Sequence, residues 1–323
     1  MAVKWGILST ASINDRFLAG ARKSSALEVV AVASRDAATA ERYAAQHQIA
    51  RAHGSYESLL ADPQVEAVYI SLPNSLHVEW TVRALEAGKH VLCEKPLDRR
   101  VAQVERAFDV AQREGRLLME AIMYRHHPQS ARLVGLVADG AIGRVRVIRG
   151  TFSYFAHDPS NVRLSAGLDG GALMDLGCYC VSAARLLAGE PERVFAEQVI
   201  GSQGVDVAFA ALMRHPGDVL AHFDVGLSLA TRDELEVVGD EGVLFLRDPW
   251  YCRSPLIELR REDRVERIEI EQADAYQLEA ENLCAAIRGD APLLLDRADA
   301  VGQARVIEAL TEAAASGGPV SVA

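Results

Sequence analysis

Five short apolar runs alternate with four stretches of helical period in the first 121 residues, and no other feature limits the fold as tightly. Val3 to Leu8, Glu28 to Ala33, Val65 to Leu72, the run ending at Cys93, and Leu117 to Ala121 read as strands. Between them, Ile13 to Lys23, Ala37 to Gln48, Leu76 to Ala87 and Val101 to Glu114 read as helices, the third stopped by Gly88. Buried strands separated by helices of this length require a parallel sheet with right-handed crossovers. A doubly wound nucleotide-binding fold is the expectation for residues 1–121.

Such a sheet binds its ligand at the carboxyl ends of its strands. Glu94-Lys95-Pro96 follows the strand His90-Val91-Leu92-Cys93, and Pro96 biases Lys95 toward extended backbone. From this tripeptide alone Lys95 also reads as a surface lysine in an ordinary loop. The phosphate loop after the first strand lacks the usual G-x-G-x-x-G and has Ser9-Thr10-Ala11-Ser12-Ile13-Asn14 instead. Its small side chains still permit close backbone approach to a pyrophosphate, and Ser12 is placed to cap the helix, with Asp15 three residues on. A plain strand-to-helix turn has the same composition.

The second strand ends in Ser34-Arg35, where NAD-preferring sites place an acid that holds the ribose 2′-hydroxyl. An arginine there suits a 2′-phosphate and favours NADP, with NAD still possible; Asp36 reads as the next helix cap. Leu72-Pro73-Asn74-Ser75-Leu76-His77 leaves the third clear strand, so Asn74 and His77 are candidates for the cofactor's second wall.

After Ala121 the alternation stops. A polar and aromatic crossover, Met123 to Pro128, leads to a helix over Gln129 to Ala138 and a strand over about Arg144 to Tyr154. From Arg193 onward strands dominate, with the cleanest period-two pattern in Ala221 to Leu229. Glu234 to Val238, Val243 to Leu246, Leu256 to Leu259 and Val265 to Ile270 add short strands, and helices over Ala275 to Arg288 and Arg297 to Ala315 close the chain. Residues 122–323 are thus expected to form a substrate-binding and oligomerisation domain, an open, mostly antiparallel sheet with helices on one face. Its bare face predicts a homodimer or homotetramer.

Within this half, Gly167 to Tyr179 stands out. A helix opening near Gly170 places Asp175, Tyr179 and Ser182 on one face. A carboxylate and a phenol there suit a polyol and a proton transfer; a half-buried tyrosine beside a solvated aspartate is the structural alternative. Cys178 and Cys180 have no second pair, and His126 and His127 are adjacent, so no metal is expected. The formal charge of -11 argues against a nucleic-acid partner, and no basic block suggests an anionic membrane. The odd, loosely spaced cysteines suit reduced thiols, and the N-terminus runs directly into a strand; a cytoplasmic setting without a membrane span is expected.

The order of a nucleotide-binding half, Glu94-Lys95-Pro96, Glu120-Ala121-Ile122-Met123-Tyr124-Arg125-His126-His127-Pro128, and Gly170-Gly171-Ala172-Leu173-Met174-Asp175-Leu176-Gly177-Cys178-Tyr179 resembles the Gfo/Idh/MocA oxidoreductases over essentially the whole chain. It looks most like the branch of glucose-fructose oxidoreductase, aldose (xylose-type) dehydrogenases and dimeric dihydrodiol dehydrogenase. Trp5-Gly6-Ile7-Leu8-Ser9-Thr10-Ala11 is similar to that branch's opening, which also lacks the glycine triplet. Tyr179 stands where much of the family has histidine, which again fits this branch.

The resemblance implies that Lys95, Tyr179 and Asp175 are catalytic. It implies cofactor contacts at Ser9, Thr10, Ala11, Ser12, Ile13, Ser34, Arg35, Leu72, Pro73, Asn74, His77, Glu94, Lys95 and Arg125. The implied activity is NADP-preferring oxidation of a sugar carbinol, with dihydrodiols or keto- and anhydrosugars as alternative substrates. A cofactor-binding regulator without turnover is the alternative of another class.

Overall fold

The computed structural model describes residues 1–322, which form two compact units. Met1–Met123 and Asp274–Val301 make the first unit; Tyr124–Ala273 and the chain from Gly302 make the second.

The first unit carries six parallel strands: β1 (Val3–Leu8), β2 (Leu27–Ala33), β3 (Arg51–His53), β4 (Ala67–Ile70), β5 (His90–Glu94) and β6 (Leu118–Ala121). Their order is β3-β2-β1-β4-β5-β6, so the winding direction reverses between β1 and β4. That reversal opens a crevice at the carboxyl ends of those two strands. β1, β4 and β6 are almost wholly buried, which explains why they read as continuous apolar runs. The helices are α1 (Asn14–Ala21), α2 (Ala37–His47), α3 (Tyr56–Leu60), α4 (His77–Glu86) and α5 (Val101–Arg113). β3 and α3 are additions to the expected pattern, because neither is long enough to display a period.

The second unit contains α6 (Pro128–Ala138), β7 (Val145–Phe155), α7 (Cys178–Ala188), β8 (Arg193–Ile200), β9 (Asp206–His215), β10 (Val219–Gly226), β11 (Ser228–Gly239), β12 (Val243–Leu246), β13 (Leu256–Arg261), β14 (Arg264–Glu269) and β15 (Val320–Ser321). They form a nine-stranded sheet in the order β14-β13-β12-β11-β7-β10-β9-β8-β15. Every pair is antiparallel except β10 with β7. The clean alternation over Ala221 to Leu229 is not one strand. β10 stops at Gly226, the Leu227 amide bonds the Val207 carbonyl, and β11 starts at Ser228 and absorbs the expected Glu234–Val238 strand. One sheet face buries Val194, Met213, Phe223, Leu235 and Val237, while Phe195, Leu212 and Leu220 are solvent-exposed on β8, β9 and β10. Ala166–Ala188 is long and apolar enough by composition to cross a membrane, and most of it is buried inside this unit.

The last helices are α8 (Ala275–Arg288) and α9 (Arg297–Ser316). A single cut at residue 121 therefore needs correction: the chain returns to the first unit for α8 and leaves it within α9. α8 packs on α1 at Gly20, where a Cβ would lie 2.7 Å from the Gln277 amide nitrogen. Asp274 caps α8 through the amides of Tyr276 and Gln277 and pairs with Lys23 at 2.7 Å. Long-range packing of this kind leaves no local period to read.

Candidate active site

At the end of β1, Ser9 takes φ of 124°, a left-handed conformation that side-chain-bearing residues rarely adopt. A buried network holds it there. Ser9 Oγ lies 2.8 Å from Ser71 Oγ and accepts from the Ala11 amide at 3.1 Å; Asn14 Nδ2 donates to the Ser9 carbonyl at 3.0 Å. Asn14 stands where the usual motif has its third glycine, and it is fully buried. The expected cap by Ser12 is absent: α1 starts at Asn14, and no side chain caps it. The amides of Asn14, Asp15 and Arg16 instead bond the carbonyls of Ala11, Ser12 and Ile13 at 3.0–3.2 Å, which leaves the small-residue loop Thr10, Ala11, Ser12 and Ile13 as the place where backbone can approach an anion.

Arg35 is exposed just beyond β2, and the Ser34 amide bonds the His53 carbonyl at 3.1 Å. Asp36 caps α2, accepting from the Thr39 amide at 2.8 Å, and bonding to the Thr39 hydroxyl and amide holds its carboxyl below the ordinary range. No acid from this turn is therefore available for a ribose hydroxyl, and the cationic Arg35 fits a phosphate.

Leu72, Pro73 and Asn74 follow β4 as expected, but His77 needs correcting. It is 1% exposed, with one ring nitrogen 2.8 Å from the Leu72 carbonyl and the other 2.8 Å from the Pro96 carbonyl. Neither nitrogen is left for a cofactor, and burial holds the ring's pKa down. His77 instead braces the β4 exit against the Lys95–Pro96 peptide, which is cis. Glu120 braces the same turn from β6, accepting from the Leu97 amide at 2.8 Å. Glu94 accepts a short hydrogen bond from Tyr69, whose ring stacks on Phe17 with centroids 4.1 Å apart. Lys95 is thus held from three directions at the end of β5.

The second unit assembles a separate polar and aromatic cluster. Residues Leu173–Gly177 form a π-helical turn before α7, so the simple α-helical spacing of Asp175, Tyr179 and Ser182 does not hold. Asp175 Oδ2 accepts from Tyr154 Oη at 3.0 Å and from Arg163 Nε at 2.9 Å. The Asp175 charge reinforces the Arg163 cation, while burial and that same charge keep Tyr154 protonated. Gly170 and Gly171 make this arrangement possible. A Cβ on Gly170 would lie 2.3 Å from the Arg163 carbonyl, and Gly171, at φ of 120°, donates to that carbonyl at 2.9 Å.

Tyr179 is 6% exposed among Tyr124, Phe152 and Trp250, with ring centroids 5.5–6.1 Å away. Ser182 Oγ accepts from Tyr124 Oη at 2.9 Å and from Arg125 at 3.2 Å. Arg125 therefore sits against α7 within this unit. All five cysteines are buried free thiols, and no set of metal-ligating side chains converges among the described residues.

Ser71, Tyr69 and Asn14 were not singled out from sequence, although polar residues inside buried runs were a readable signal. Arg163 and Tyr154 had none, because an aperiodic loop and the end of a strand bring them to Asp175. The first unit's residues fit a dinucleotide: a loop of small side chains before α1, a left-handed serine permitting backbone approach, and an arginine past β2.

The family model described as an oxidoreductase family with an NAD-binding Rossmann fold matches residues 3–122, and the GFO/IDH/MocA C-terminal domain model matches residues 131–245. A D-xylose 1-dehydrogenase (NADP(+)) of Haloferax volcanii is 35% identical, covering 98% of this chain and 99% of its own. The human trans-1,2-dihydrobenzene-1,2-diol dehydrogenase is 36% identical over 80% of this chain and 78% of its own. A solved 3-ketoreductase from Actinomadura kijaniata, in complex with NADP and TDP-benzene, superimposes with a TM-score of 0.92 at 32% identity, covering 97% and 98% of the two chains.

Proposed function

The chain belongs to the GFO/IDH/MocA family of NAD(P)-binding oxidoreductases acting on CH–OH groups, and within it we propose an NADP-preferring aldose dehydrogenase of the D-xylose or D-glucose type. The observation that carries this reading is Asp175, which accepts from both Arg163 and Tyr154 in the turn that leads into the helix bearing Tyr179. A fixed acceptor flanked by donors over aromatic rings suits a ring of neighbouring hydroxyls. The xylose dehydrogenase among the relatives uses NADP by name, which agrees with the Arg35 position.

When bound, the nicotinamide supplies the hydride acceptor. The loop from Ser9 to Ile13 would hold the pyrophosphate, Arg35 the 2′-phosphate, and the β4 and β5 ends, including Asn74 and Glu94, the nicotinamide half. Tyr179 removes the hydroxyl proton from the reacting carbinol. A free tyrosine ionises near pH ~10, poorly suited to a base near neutrality. Lys95 is proposed to bind the reacting hydroxyl, and a cation near a phenol favours the phenolate and stabilises the alkoxide. Asp175 orients a neighbouring hydroxyl, and Phe152 and Trp250 keep water from the phenol.

A trans-dihydrodiol is the second reading, supported by the aromatic cluster of Tyr124, Phe152, Trp250 and Tyr251. Keto- and anhydrosugars use the same chemistry. A regulator without turnover has no need of a lysine, a phenol and an oriented carboxylate together. Mixing the protein with NADP or NAD and a panel of aldoses and diols, and following reduced-cofactor absorbance, tests the reading. Turnover fastest with aldoses and NADP supports it. Tight cofactor binding with no turnover supports the regulator.

We place the enzyme in the cytoplasm, in keeping with its free thiols, as a homo-oligomer joined through the open sheet face. Phe195 and Leu212 lie directly opposite each other there, with Leu220 exposed on the next strand. Sedimentation velocity showing a monomer at micromolar concentration would overturn this assembly.

A further inference from the structure

Gly171 holds both members of the Arg163–Asp175 pair by its backbone. Its N–H donates to the Arg163 carbonyl at 2.9 Å, and its C=O accepts from the Asp175 amide at 2.9 Å. A shift of this one residue therefore moves the arginine and the carboxylate together. Gly171 takes φ of 120°, a conformation that glycine permits but does not enforce. Something outside the turn has to fix it.

That support comes from β9. Asp206, the first residue of the strand, is 8% exposed, and its Oδ2 accepts from the Leu173 amide at 2.7 Å. Its Oδ1 lies so close to Gly171 that a Cβ there would overlap it. Leu173 opens the π-helical turn that runs into α7, and neither Gly171 nor Ala172 has a side chain able to cap it. A carboxylate at the start of a helix satisfies a leading amide and is favoured by the helix dipole. A serine or aspartate within the turn would stabilise the helix equally well. Drawing the carboxylate from a strand 33 positions further on ties the turn to the sheet instead.

We propose that Asp206 is a positioning residue for the substrate site: its carboxylate fixes Gly171 and Leu173, and through them it sets the placement of Arg163 and Asp175. It touches no substrate and moves no proton. Its effect is confined to how well a hydroxyl beside the reacting carbon is bound, in the ground state and the transition state alike. The inference rests on the reading that Asp175 orients such a hydroxyl, and it adds a residue that no sequence motif marks.

The test compares Asp206→Ala and Asp206→Asn with the wild type on the full chain, using the best aldose of the panel at saturating NADP. Asp206→Ala should raise the KM for the sugar about tenfold, the size of one lost hydrogen bond to a charged group, and leave kcat within about threefold. Asp206→Asn keeps an acceptor for the Leu173 amide and should stay within about threefold of the wild-type KM. The NADP dissociation constant should be unchanged in both. An unchanged KM in Asp206→Ala overturns the proposal, as does a fall in kcat alone, which reports only fewer folded molecules. Equal KM losses in the two variants also overturn it, because the accepting oxygen is then not what matters. Should Asp206→Ala fail to fold, Gly171→Ala, which drives the same carboxylate off the turn, is read by the same KM and kcat criteria. If the wild type turns over no aldose or diol, the functional reading fails, and a crystal structure of Asp206→Ala decides the positioning role by itself. An Arg163–Asp175 contact kept at its wild-type length then overturns it, and one opened beyond hydrogen-bond reach supports it.

Discussion

Asn14 donates to the Ser9 carbonyl at 3.0 Å and accepts from Ser71 Oγ at 2.5 Å, so one fully buried amide ties the end of β1 to the end of β4. This amide does the work a glycine pattern usually does, by holding Ser9 in its left-handed conformation rather than by permitting it. Asn14→Ala strands two buried partners and should cost about 1–3 kcal/mol of stability. Denaturant unfolding should report that loss, and cofactor titration should report weakened binding. Unchanged values in both would remove the network from the account.

Arg35 lies exposed past β2 with no acid from its own turn free to bind a ribose, because Asp36 is spent on Thr39. Arg35→Ala should raise the KM for NADP by tenfold or more, on the order of one lost charged contact, and leave that for NAD within a few-fold. Steady-state kinetics with both cofactors checks it. Equal loss for both would mean that Arg35 reads no phosphate.

Arg163 and Asp175 meet at 2.9 Å around an aspartate whose side chain is 12% exposed. Arg163→Ala leaves that carboxylate without its compensating cation, so substrate affinity should fall by about tenfold or more. Asp175→Asn in the same background should cost less than it does alone, because the two act as a unit. Strictly additive losses in kcat/KM would show that they serve the substrate independently.

Burial lowers the pKa of several histidines: His77 and His215 below the ordinary range, His90 down to about 4 and His126 down to about 3. The unfolded chain binds these protons at higher pH than the folded chain does. Stability is therefore fully present above about pH 6.5 and declines as pH falls toward the folded values. His126→Gln should flatten that decline by up to about 1.4 kcal/mol per pH unit. Asp233, pushed up to about 8 by burial and Asp248, works with the opposite sign, so the His126 variant isolates the effect better than the wild-type curve. Parallel pH profiles of unfolding for the two proteins would contradict it.

The order of elements in the first unit was legible because buried parallel strands are apolar throughout and their helices are amphipathic. α8 was legible as a helix but not as part of that unit. Its assignment depends on Gly20, Asp274 and Lys23 meeting across more than 250 positions of chain, as the Lys23–Asp274 pair shows. Lys95, Asp175 and Tyr179 stood out as motif residues, whereas Arg163 and Tyr154 depend on a partner, Asp175, that no spacing reveals. His77 was read as a ligand contact because its position was right. Its two carbonyl partners, Leu72 and Pro96, are set by how two loops pack.

The central claim is that Lys95 and Tyr179 both act in the proposed oxidation of a carbinol. A double-mutant cycle with Lys95→Ala and Tyr179→Phe, read in kcat with the best aldose and in the NADP dissociation constant, tests it most directly. Each single variant should lose at least about 100-fold in turnover. Cofactor binding should largely survive in both, and the double variant should be little worse than the poorer single. Near-normal turnover in Tyr179→Phe, or losses that multiply in the double variant, would contradict a shared role.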